Sequence, residues 1–266
     1  MKPTHVYVCE DSLEGIFTAI YQAWSSNYGH KYNRIQLQEV NEIELFCEYI
    51  NVKTDSEIGL KVGSSIKRKI STYSYRCVYH TAMSNDVEKG NIIYQYLVLG
   101  FHLGRKVQDY LSEDVVNRVF QLDRKVNNEV MHYRGFVRFT EIEQGILLAK
   151  YRPENNISSI LATHFFSRYP NENWILYDES RGIAIVHPKR QPWFQVKLDG
   201  LLDEKLRESS MEDEYQNIWK VFVDHVSIKE RENRELQRNH LPYRYREFMP
   251  EFQKGENKNV ESRSLD

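Results

Sequence analysis

The rhythm of apolar and polar positions changes near Gly135. Before it, apolar residues recur mostly every three or four positions, as on a helix with one buried face; after it, mostly every two, as on a half-buried strand. At the start, HVYVC (His5 to Cys9) is a β-prone run. Asp11 or Ser12 can cap a following helix on which Leu13, Ile16, Phe17, Ile20 and Trp24 share a face. Gly29 and Asn33 then interrupt, and IQLQEV (Ile35 to Val40) alternates as a second strand would. From about Thr54 to Gly135 the pattern is helical almost throughout. Asn91 opens a helix with Ile93, Tyr96, Leu97, Gly100, Leu103, Val107, Tyr110 and Leu111 at helical spacing. Ser112, followed by Glu113 and Asp114, caps another that carries Val115, Val119, Leu122, Val126 and Val130 and stops at Gly135. Two long helices joined at one serine predict an antiparallel pair.

Past Gly135, FVRFTEIEQGILLAKY alternates around Gln144-Gly145 and NWILYDESRGIAIVH around Ser180 to Gly182, so each predicts a β-hairpin. Between them ISSILATHFFSRYP predicts a helix stopped by Pro170. A last helix is expected from about Glu212 through Tyr215, Ile218, Trp219, Phe222 and Val226. The preceding DGLLDEKLRESSMEDE, with acids far outnumbering Lys205 and Arg207, is expected to be a solvated linker. The fold class is therefore α+β: a mainly helical region over 1–134 with a strand-helix opening, a hairpin-helix-hairpin-helix region over 135–250, and a loose tail over 251–266.

Composition narrows the function. With 266 residues, 41% hydrophobic, the chain has enough apolar side chains for one large core or two smaller ones. A formal net charge of -2 argues against a surface coated in positive charge for indiscriminate DNA binding, and leaves room for a local basic patch. Cys9, Cys47 and Cys77 are odd in number and far apart, which suits reduced thiols. With no signal-like or membrane-spanning apolar run, the expected location is the cytoplasm. CxxC, GxxxxGK[ST], GxSxG, HExxH and GxGxxG are all absent. No metal, cofactor or recognised catalytic motif is expected.

What remains is cationic and aromatic. LQRNHLPYRYREF, near the C-terminus, sets Arg238, Arg244 and Arg246 among Tyr243, Tyr245 and Phe248, with Arg231 just upstream. Arginines on phosphates and a tyrosine stacked on a base would grip a single strand; equally, the glutamates between them can pair the arginines while the tyrosines pack the chain end onto a core. In GSSIKRKI, Lys67, Arg68 and Lys69 follow Gly63, Ser64 and Ser65, which either open a helix and cradle a phosphate or lie on a solvated helix face. Arg134 and Arg138 flank a helix-strand junction, where they either hold an anion or cap the last carbonyls. His164 falls on the face of Ile160 and Leu161, with Asp178 as a possible acid-base partner. Asp178 and Arg181 straddle the turn DESRG, where a cross-turn ion pair is the plainer expectation. His187-Pro188 matches one dipeptide of the uracil-DNA glycosylase histidine loop and nothing else of those enzymes.

YVCEDSLEGIFTAIYQAW, HYRGFVRFTEIEQGILLAKYRPENNI, HFFSRYPNENWILYDESRGIAIVH and YQNIWKVFVDHVSIKERENRELQRNHLPYRY, taken in that order, resemble a bacterial family of DNA-metabolism proteins of unknown activity. Near the end the family pattern ER-x-NP-x-LQR and P-x-RYW is matched by Glu230, Arg231, Asn233, Leu236, Gln237, Arg238, Pro242, Arg244 and Tyr245, with Arg234 in place of the proline and Arg246 in place of the tryptophan. The resemblance implies a radical-SAM protein for DNA modification or repair as a partner, and in some members a fused uracil-DNA-glycosylase-like domain. The expected role is a non-catalytic accessory that binds DNA or presents it to that partner, in a groove where Lys67, Arg134, Arg138 and the C-terminal arginines meet. An uncharacterised nucleic-acid-processing enzyme would instead need His164, Asp178 and Arg134 within hydrogen-bond reach. A pure protein-interaction subunit would show an exposed apolar patch.

Overall fold

A computed structural model describes residues 3–38, 44–142, 145–197 and 241–252. The predicted C-terminal helix, the acidic linker, Arg231 and Arg238 lie outside the described residues. The fold is α+β, and the chain divides into two compact units: Met1–Val130 with Glu154–Ile157, and Met131–Pro153 with Ser158–Asp266.

In the first unit β1 (Thr4–Cys9) lies at the centre of a parallel sheet between β2 (Asn33–Leu37) and β3 (Cys47–Asn51). The opening strand, helix and second strand are legible in the pattern; β3 is not, because CEYIN is too short and too polar to show a period of two. Between β1 and β2 runs α1 (Leu13–Ser25), whose N-cap Ser12 accepts from the Gly15 N–H at 2.9 Å. Ile16, Phe17 and Ile20 are buried as expected. Trp24, expected on the same face, is 36% exposed. The unit continues with α2 (Ser56–Lys69), capped by Asp55, and α3 (Thr72–Met83), capped by Ser71; both side chains accept amide N–H groups of the first turn.

α4 (Lys89–Leu103) ends earlier than its apolar spacing predicts. Gly104 adopts φ +61, and a 3-10 turn over Gly104–Asp109 follows. α5 (Asp114–Phe136) begins one residue past the expected cap region, with the Glu113 carbonyl accepting from Asn117 N–H. The single-serine junction is therefore corrected to a ten-residue connection, 104–113, because a left-handed glycine ends a helix whatever apolar residues follow. α5 joins α3 through His80 Nδ1 and the Asp123 carboxylate, 2.7 Å apart and buried. The segment Glu154–Ile157 is tied in by buried Glu129, whose carboxylate accepts from Glu154 N–H, Asn155 N–H and Asn155 Nδ2 at 2.8, 3.0 and 2.6 Å.

The second unit is built on a five-stranded sheet in the order β4 (Thr140–Ile142), β5 (Ile146–Tyr151), β6 (Asn173–Asp178), β7 (Ile183–His187), β8 (Phe194–Lys197). β4-β5 and β6-β7 are the two expected hairpins. α6 (Ser158–Arg168) lies between them in sequence and leads β5 into parallel pairing with β6, which fuses both hairpins into one sheet. Periodicity cannot predict that parallel pairing, nor the four-residue edge strand β8. Leu161, Phe165, Trp174, Leu176, Tyr177 and Ile185 form the core of this unit. Among the described residues no helix is long and apolar enough to cross a membrane.

Candidate functional site

In the first unit a cleft of about 340 Å³ opens where α1, α2 and α4 meet. One wall is aromatic: Tyr21 and Trp24 from α1 and Phe101 from α4. The other carries Lys61, Ser65 and Lys69, which follow one another every four residues down one side of α2. At 1.5 Å rise per residue the row from Lys61 to Lys69 spans about 12 Å. Trp24 is braced by rings: His30 at 4.4 Å, Phe101 edge-on at 5.2 Å and Tyr94 edge-on at 6.3 Å between centroids. His30 Nδ1 is in turn 2.8 Å from the Tyr94 hydroxyl. Trp24, braced by these rings and 36% exposed, offers the cleft part of a large aromatic surface. Lys61 has an exposed carboxylate, Glu57, at 4.0 Å, a separation at which water screens the pair strongly. Lys69 Nζ lies 5.9 Å from the Phe101 ring centre.

Of the basic run GSSIKRKI, the structure supports the helix-face alternative. Gly63, Ser64 and Ser65 sit inside α2 rather than at its start, so their amides belong to the helical ladder and form no phosphate cradle. Lys67, Arg68 and Lys69 occupy the last turn, where positive charge complements the helix dipole. Lys67 Nζ stands 4.0 Å over the Tyr75 ring.

The second unit holds Arg134, Arg138, Arg244, Tyr245 and Arg246. Tyr245 is 3% exposed and its ring meets His132, Tyr133 and Phe136 of α5 at 5.1, 4.9 and 5.5 Å. Its hydroxyl accepts from Arg244 Nη2 at 2.8 Å and lies 3.1 Å from His132 Nδ1. In this arrangement Tyr245 is a packing residue and offers no face to a base. Arg246 donates to the Leu241 carbonyl at 3.0 Å, and Arg138 to the Gly135 carbonyl at 2.8 Å, which is the helix-capping alternative for that residue. Arg134 is exposed at the end of α5, with one long contact to Met131 Sδ at 3.7 Å.

The pairing of His164 with Asp178 is corrected. Among the described residues no hydrogen bond or ion pair joins them. Asp178, fully buried, accepts from Ser180 N–H at 2.9 Å, Ser158 Oγ at 3.3 Å and Arg181 Nη1 at 3.1 Å, so the cross-turn ion pair is present. Burial pushes the Asp178 carboxyl up, while Arg181 and the turn amides pull it part of the way back. These three donors make the carboxylate the closing group of the turn DESRG. His164 is held below the usual histidine value by burial first and then by Arg134 and Arg168, two cations that resist a third. His187 is likewise structural, its ring stacked on Trp174 at 4.7 Å and its Nδ1 3.0 Å from the Glu172 carbonyl.

The sequence pattern does not single out Tyr21, Lys61 or Phe101, and it places Trp24 in the core. The only signal is that Tyr21 and Trp24 sit at the margin of the apolar stripe of α1. A second feature of the first unit is a cavity of about 320 Å³ bordered by Tyr28, Tyr32, Asn27 and His5. There Glu48 stands 3.0 Å from His5 Nε2, and His5 Nδ1 is buried with no hydrogen-bond partner among the described residues. Among the described residues no three His, Cys, Asp or Glu side chains gather to hold a metal ion.

No curated protein matches the chain. The sequence profile of a family described as a domain of unknown function, DUF4130, matches residues 87–251, running from just before α4 through nearly all of the described second unit. With more than half of its length matched, this protein is a member of the DUF4130 family.

Proposed function

We propose that this protein binds single-stranded nucleic acid as a DNA-metabolism accessory, using the cleft between α1, α2 and α4. The observation that carries the reading is the pairing, in one cleft, of the exposed and braced Trp24 ring with the Lys61, Ser65 and Lys69 row. Single-strand binders combine these two elements, aromatic faces that stack any base and cations that follow the backbone. The resemblance to the DNA-metabolism family supports the same role and adds a radical-SAM partner to which the strand would be presented. In that arrangement the reaction belongs to the partner, and this chain supplies positioning.

The test is anisotropy of a labelled single-stranded oligonucleotide over a salt series. Trp24→Ala is expected to cost about 1–3 kcal/mol of binding. The double change Lys61→Ala/Lys69→Ala is expected to make the log-log salt slope shallower by about 1.4, roughly 0.7 for each single-strand phosphate that the protein no longer neutralises. Parallel variants Arg231→Ala/Arg238→Ala and Arg244→Ala/Arg246→Ala report whether the C-terminal stretch contributes. A wild type that fails to bind at low salt overturns the reading and returns attention to the enzyme and protein-interaction alternatives.

A further inference from the structure

α2 has a second cleft on its opposite flank. It measures about 330 Å³ and lies between α1, α2 and α3. Its walls include Phe17 and Leu60, and at its edge Tyr75 and Lys67 form a ring-ammonium pair at 4.0 Å. Leu60 is 73% exposed, an apolar surface with no cover among the described residues. The residues of this cleft on α2, Ser56, Gly59, Leu60, Gly63, Ser64 and Lys67, recur at three and four and so lie along one side of the helix. Those of the first cleft, Lys61, Val62, Ser65 and Lys69, lie along the other. Beyond Ser64, the exposed outer edge of the second row, the ridge of α2 between the two rows carries exposed Arg68. Gly63 lets Tyr75 come this close: a Cβ there would sit 3.1 Å from the tyrosine ring.

On the basis of the proposed single-strand binding, we infer that this second cleft is a second base site, and that one nucleic-acid single strand crosses α2 with bases placed in both clefts. Three observations select that occupant. An ammonium beside an aromatic face occurs in each cleft, and the ridge joining them carries exposed Arg68, with exposed Ser64 at its edge. Glu14 borders the second cleft, and its carboxylate turns a phosphate away while it can accept an amino N–H, so that cleft suits a base rather than a phosphate. A helix is about 10–12 Å across with its side chains, and a stacked strand rises about 3.4 Å per nucleotide, so the two bases would be about three nucleotides apart. A duplex cannot place two bases on either side of a helix without unpairing them. The ligand is therefore a flexible single strand of about four nucleotides or more.

The experiment is a length series of labelled single strands, from about two to about ten nucleotides, against the full chain. Wild type is expected to show a step of about tenfold or more in affinity near about four nucleotides, where the second base site fills. Tyr75→Ala and, separately, the exposed Lys67→Ala should remove that step and leave the affinity of the shortest ligands unchanged. Trp24→Ala should weaken every length. Because Tyr75→Ala can disturb α3, the Lys67→Ala variant and a Tyr75→Phe variant that retains the step keep the outcome readable. A step that survives both Tyr75→Ala and Lys67→Ala, or wild-type affinity independent of length, overturns the second site while leaving the Trp24 cleft in place. Absence of binding at every length overturns both.

Discussion

Cys9 and Cys77 are buried, and burial, the largest cause, pushes each thiol up to about 12. For Cys9 the neighbouring acids Asp11 and Glu10 add to the rise; for Cys77 Asp123 does. The thiolate is the reactive form, so both should resist a thiol reagent in the folded protein, whereas half-buried Cys47 should react. A colourimetric thiol titration is expected to give one fast thiol in native buffer and three in denaturant. The sign of the accompanying pH dependence follows from linkage. Folded thiols keep their protons above the ordinary thiol value of about 9 while unfolded ones release them, so these residues contribute stability at neutral pH that is lost as pH rises past that value. At this scale the cysteine reading needs only count and spacing. Trp24 cannot be read that way, because its position on the margin of an apolar stripe is compatible with burial or exposure until the neighbouring helices are in place.

At the scale of elements, α1 shows how close contacts constrain a helix more than propensity does. Alanine is favoured over glycine inside a helix by about 1 kcal/mol. At Gly15, however, a Cβ would meet the backbone carbonyl of Glu10 at 2.7 Å and Ser12 Oγ at 2.9 Å. The carbonyl belongs to the turn that carries β1 into α1 and cannot swing aside as a side chain could. Gly15→Ala is therefore expected to destabilise the protein by about 1–3 kcal/mol, the range for forcing an extra methyl into a packed site, as measured by denaturant unfolding. A neutral or stabilising result would show that the turn relaxes. The same scale explains which elements are legible. α1, α6 and the two hairpins carry a clean period, a cap or a stop residue, and each appears where expected. The end of α4 is not legible because Val107 is fully buried from a 3-10 turn, so the apolar spacing continues past the end of the helix.

For the molecule as a whole, the segment Leu241–Phe252 is part of the core of the second unit rather than a free arm. Besides Tyr245, Arg152 donates to both oxygens of Glu247 at 2.8 and 3.0 Å and to Glu179 at 2.9 Å. Met249 is 2% exposed. Tyr245→Ala is expected to cost the second unit about 3–5 kcal/mol, and Tyr245→Phe much less, because the ring accounts for most of the packing. In a Trp24→Phe/Trp219→Phe background the remaining tryptophans, Trp174 and Trp193, fall within the second unit, so fluorescence-monitored unfolding reads that unit by itself. A Tyr245→Ala protein of unchanged stability would mean the Arg152–Glu247 pair and buried Met249 are enough to hold the segment. The sequence by itself determined the α+β class, most helices, both hairpins and the reduced thiols, because these depend on local periodicity, caps and spacing. Only the tertiary structure decided that the two hairpins share one sheet, that Tyr245 is packed inside, and that Tyr21, Trp24, Phe101 and the lysines of α2 line one cleft. A period of two or 3.6 records that one face of an element is buried but not against what. Residues far apart in the chain acquire a common surface only when their elements pack.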